Sequence, residues 1–127
     1  MKIWMLNARL EDFRATQEYC GFRTEGERKP ISVGDKIVYV CSGVIFGVYE
    51  TEKIVEREFI EWRQTRPFQL KLNPILVPEK GLVAGPLHYK TKLQKHVADS
   101  PSIWIMSEWE YNKIMQAFRE GSKELIF

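Results

Sequence analysis

The hydrophobic residues of this chain come in short runs of two different periods. Ile3-Trp4-Met5-Leu6 is a brief apolar run closed by Asn7, and it reads as a first strand with Asn7 capping the next element. From Ala8 to about Tyr19 the spacing is helical: Leu10, Phe13, Gln17 and Cys20 share one stripe, and Gly21 is expected to end the helix. Phe22 to Pro30 is charged and contains glycine, so a loop is expected there. Ser32-Val33-Gly34-Asp35 turns into Lys36-Ile37-Val38-Tyr39-Val40-Cys41, a β-branched strand. Ser42-Gly43 then turns the chain back into a second strand, Ile45 to Thr51, where Gly47 marks a bulge or a close backbone approach.

Ile54 to Trp62 fits two templates, a helix through Val55, Phe59 and Trp62 or an irregular β-branched strand. Phe68-Gln69-Leu70-Lys71-Leu72 alternates, which predicts one buried and one polar face. Pro78 to Pro101 is the least regular region; it holds Gly81, Gly85, Pro86 and a basic stretch from His88 to Val97 compatible with a short helix. Ile103-Trp104-Ile105-Met106 predicts another strand. Ser107 and Glu110 form a capping box, with Met106 and Tyr111 as its staple. Tyr111, Ile114, Met115 and Phe118 continue the helical stripe and Gly121 ends it. Hairpins between the middle strands, rather than helical crossovers, predict an α+β fold: a curved mixed or antiparallel sheet forming a small barrel, flanked by helices.

At 127 residues the chain is expected to be one domain spanning 1–127, and 44% hydrophobic content excludes a disordered tail. No apolar run approaches the roughly 18 residues that span a bilayer, and the N-terminus reads as a strand rather than a signal peptide. A cytoplasmic protein without membrane association is the expectation. Cys20 and Cys41 form neither a disulfide framework nor a metal cluster with His88 or His96, so no metal and no cofactor are expected. Serine-hydrolase, phosphate-loop and dinucleotide-binding signatures are missing, so no catalytic residue is assigned.

Net charge is only +2, but its distribution is uneven. Between Trp62 and Val97 stand Arg63, Arg66, Lys71, Lys80, Lys90, Lys92 and Lys95 against a single acid, Glu79. A one-signed patch on a near-neutral protein suits phosphate, with a solvated basic loop as the plain alternative. Of the four tryptophans, Trp4 and Trp104 lie inside apolar strands and read as core. Trp62 sits beside Arg63, where an aromatic face can stack a base while cations hold its phosphates; ordinary packing is the competing reading. Trp109 falls on the side of its helix away from Tyr111 and Phe118.

Taken in order, several of these segments resemble one family. They are Ile3-Trp4-Met5-Leu6-Asn7, Cys20-Gly21-Phe22, Val33-Gly34-Asp35-Lys36-Ile37-Val38-Tyr39-Val40, Ser42-Gly43, and Phe46-Gly47-Val48-Tyr49-Glu50. Arg66-Pro67-Phe68-Gln69-Leu70-Lys71-Leu72-Asn73-Pro74-Ile75 and Ser107-Glu108-Trp109-Glu110-Tyr111 complete the set. Together they resemble the EVE domains of the PUA-like superfamily, which also holds the YTH and ASCH domains. The resemblance implies a PUA-like barrel and a non-enzymatic module that binds DNA or RNA, with a pocket for a flipped or modified base. Carried over by position, that pocket draws on Asn7, Cys20, Gly21, Phe22, Ser42 and Gly43, with Trp62 as a wall. Arg63, Arg66, Lys71, Lys90, Lys92 and Lys95 would hold the backbone. Relatives carry tryptophan where this chain has Cys20, so the cage is incomplete, closed by Phe22 or Trp62, or shaped for another ligand. The alternatives are a small-molecule or hydrolytic ASCH-like domain and a protein-interaction module presenting Trp109.

Overall fold

The alternation in the apolar runs is realised as strands with two buried faces. A computed structural model describes residues 1–7, 18–41, 43–83 and 102–123. The strands are β1 (Ile3–Asn7), β2 (Tyr19–Phe22), β3 (Lys36–Cys41), β4 (Val44–Glu56), β5 (Phe68–Leu76), β6 (Leu82–Val83) and β7 (Ser102–Ile105). Helix α1 (Glu25–Arg28) is a single turn, α2 (Glu108–Arg119) is the long helix, and Ile60–Trp62 forms a 3-10 turn. The sheet runs β2-β5-β4-β3-β1-β7, with β6 added to the start of β4. β1 and β3 are parallel and every other pairing is antiparallel.

The sheet is curled because β4 is long and its ladders carry bulges. Its register slips against β3 between Tyr39 and Val40, and twice against β5, between Val48 and Tyr49 and between Thr51 and Lys53. The first slip lies at the expected position: Gly47 faces Tyr39, and a Cβ there would sit 2.9 Å from the Tyr49 ring.

One face of the sheet packs Ile3, Met5, Val38, Val40, Ile45 and Val48 against Ile114 and Ala117 of α2. The other face gathers Trp4, Leu6, Cys20, Phe22, Ile37, Tyr39, Cys41, Tyr49, Leu70 and Leu72. Helix α2 begins at the expected capping box, with Ser107 and Glu110 bonded reciprocally, and ends before Gly121 at φ +69°. Among the described residues no helix is long and apolar enough to cross a membrane.

Two expectations change. Tyr19–Phe22 is not the end of a helix but an edge strand on β5, with Cys20 opposite Leu70 and Phe22 opposite Phe68. Residues 25–28, expected as loop, form a helical turn closed by a Thr24–Glu27 capping box. The body of the expected first helix, residues 8–17, lies outside the described residues, as does the basic stretch from His88 to Val97.

Candidate functional site

The parallel register of β1 and β3 sets Asn7 beside Val40, with Ser102 on its other side. One residue further along β3, Cys41 pairs with Val44 across the turn that contains Gly43. Gly43 has φ +79°, a left-handed conformation that favours glycine. Asn7 and Gly43 therefore share one end of the sheet, but Asn7 is in register with Val40 of the face that packs α2, whereas Cys20 and Phe22 belong to the other face. Ser42, between them in that assignment, lies outside the described residues.

Cys20 and Phe22 are fully buried within the face that also holds Tyr39, Cys41 and Tyr49. The Tyr39 hydroxyl donates to the Tyr19 carbonyl at 3.2 Å, fastening β2 across β3. Burial pushes the Cys20 thiol up to about 12, against smaller opposing effects of a Tyr39 hydrogen bond and the Arg66 charge. Burial likewise raises Tyr49 to about 12 and holds Tyr39 well above its ordinary value. Burial thus favours the neutral forms of Cys20, Tyr39 and Tyr49 at neutral pH.

Gly21 points the other way, because side chains alternate along a strand. A Cβ on Gly21 would lie 2.8 Å from Trp62 Cε3 and 2.9 Å from Arg66 Cβ. The expectation that Trp62 walls the same pocket as Cys20 is corrected by this geometry. Trp62 packs on the opposite side of β2, is 8% exposed, meets Phe59 edge-on at 4.8 Å, and carries the Arg66 guanidinium over its ring at 5.4 Å. Its surroundings are those of a packing residue, which was the competing reading. Arg66 is 6% exposed, packed with its guanidinium over the Trp62 ring.

The remaining basic candidates divide. Arg63 is exposed, and its Nε donates to the Arg57 carbonyl at 3.2 Å. Lys71 is half-buried and lies 3.9 Å from a Glu52 carboxylate oxygen. Lys90, Lys92 and Lys95 lie outside the described residues. Among the described residues no group of three or more His, Cys, Asp or Glu side chains is arranged to hold a metal ion.

One residue that governs this region carries no signal in the sequence. Gln69 stands on the nominally polar face of β5, yet it is fully buried. Its Oε1 accepts from Phe59 N–H at 2.8 Å, while its Nε2 donates to the Phe59 and Arg66 carbonyls at 3.1 and 3.0 Å. A strand residue is thereby committed to clamping the 57–67 loop, a role that alternation along β5 does not announce.

Comparison with known proteins shows the fold alone. No family model matches the chain, and no curated protein matches it. The solution structure of Rpa0253 from Rhodopseudomonas palustris is similar over 91% of this chain and 92% of its own, at 11% identity and a TM-score of 0.59. The crystal structure of Atu2648 from Agrobacterium tumefaciens is similar over 97% of this chain and 95% of its own, at 14% identity and a TM-score of 0.56. The chain thus shares its curled α+β fold, over nearly its whole length, with two solved proteins.

Proposed function

We propose that this chain is a PUA-like nucleic-acid-binding module of the EVE type, cytoplasmic and non-enzymatic, which receives an extruded and chemically modified base at the Asn7–Gly43 end of its curled sheet. The observation that carries the reading is the β1–β3 register, which brings Asn7 beside Val40 at the end of β3 that leads toward Gly43, whose φ is +79°. An amide at such a mouth can bond the edge of a base. Arg63 and the lysines at 90, 92 and 95 are assigned to the flanking phosphates.

Fluorescence anisotropy against single- and double-stranded DNA and RNA, with plain and methylated cytosine and adenine at two salt concentrations, tests the reading. Affinity that falls steeply with salt, together with preference for one modified base, is expected. Asn7→Ala should erase that preference at a cost of about 1–3 kcal/mol for the favoured base. Salt-independent binding, or equal losses on every oligonucleotide, would remove the base-reading role.

A further inference from the structure

The loop between β4 and β5 is held more tightly than a connection needs to be. It opens on Arg57 at φ +54°, the one non-glycine residue at positive φ among the described residues. Arg57 N–H donates to the Pro67 carbonyl at 2.9 Å, closing the loop at its base. Gln69 clamps it from beneath through Phe59 and Arg66, and Trp62 plugs it into the space that Gly21 leaves open. The Tyr19 ring stacks on Phe59 at 5.7 Å, and its hydroxyl donates to Glu58 at 2.7 Å.

This frame presents Ile60, 66% exposed, more than any other described large hydrophobic side chain except Met1. Ile60 opens the 3-10 turn, and exposed Arg57 and Arg63 flank it, joined by the bond from Arg63 Nε to the Arg57 carbonyl. An exposed apolar side chain on a clamped loop, flanked in sequence by two exposed arginines as well as by Glu58 and Glu61, has the chemistry that unstacks a base step while cations grip the adjacent phosphates.

We propose that the 57–67 loop is a preorganised wedge, which inserts Ile60 into a nucleic-acid duplex while Arg57 and Arg63 hold the phosphates on either side. The proposal rests on the nucleic-acid reading above and adds to it the element that opens the stack. Exposed Glu61, beside Ile60, works against the phosphates, so Glu61→Lys should tighten duplex binding.

The test uses the whole chain and a DNA duplex carrying 2-aminopurine next to the target base, whose fluorescence rises on unstacking. Wild-type binding is expected to raise the signal. Ile60→Ser, at an exposed position, should abolish the rise and weaken duplex binding about tenfold while leaving single-strand affinity within about twofold. Arg57→Gly should weaken duplex binding without unfolding the loop, because glycine accepts the left-handed backbone. Wild-type binding without a fluorescence rise, or an Ile60→Ser protein that keeps both signal and affinity, would overturn the wedge and leave base reading intact. Failure of the wild type to bind any oligonucleotide would overturn both.

Discussion

Two corners of the sheet are each fastened by one buried polar side chain, and they differ in charge. At the entry to β3, the Asp35 carboxylate accepts from Lys2 N–H and Trp4 Nε1 at 3.0 Å and from Ser32 N–H at 2.9 Å. At the β4–β5 loop, the neutral Gln69 amide makes three bonds of similar length. Burial alone would push the Asp35 carboxyl up, but its donors and the chain's N-terminal ammonium prevail and hold it below its ordinary value of 3.8. The anionic clamp ties the chain's first strand to the sheet and makes that corner sensitive to acid. The neutral clamp does not titrate, so its own hold on the loop does not change with pH. A charged clamp thus ties its corner to the pH of the solution, whereas an uncharged one does not.

Asp35→Ala should have the largest effect, because it orphans three donors at once: a loss of roughly 4 kcal/mol and a fall of about 15 °C in thermal midpoint. Gln69→Leu should cost about 3 kcal/mol by leaving Phe59 N–H and two carbonyls without their partner. Amide exchange should then quicken across residues 57–67 but not at β1, separating the two corners. The pH profile sharpens the contrast further. Because the folded pKa of Asp35 is depressed, its contribution is complete above the ordinary value and is lost as pH falls through the folded one. The stability gap between wild type and Asp35→Asn should therefore shrink below about pH 4, while the gap to Gln69→Leu stays level. A gap to Asp35→Asn that persists unchanged into acid would break the comparison. Arg57→Gly should have the smallest effect and the opposite sign, a gain of about 1 kcal/mol from relief of the left-handed backbone, read by chemical denaturation.

These clamps also mark the reach of local sequence signals. Such signals suffice for α2, whose capping box needs only Ser107 and Glu110, and for the bulge, which Gly47 announces. They mislead at Tyr19–Phe22, where Cys20 fits a helical stripe but β5, some fifty residues further on, supplies a ladder that overrides it. Alternation places Gln69 on a polar face correctly, yet only the fold reveals that a loop lies over that face. Trp62 is open to two readings in the sequence for the same reason, since Gly21, whose vacant side it fills, lies on a strand some forty residues earlier. Of the candidate site, the register of Asn7 against β3 follows from neither residue alone.

The placement of β1 between β3 and β7 has a kinetic consequence. Trp4 pairs with Ile105, about a hundred residues along the chain, so the ladder at this edge of the sheet closes the longest loop among the described pairings. During synthesis β1 emerges early and waits with one edge unpaired until β7 arrives. The strand made first is completed last, and folding of this sheet is expected to be limited by that late closure rather than by the hairpins.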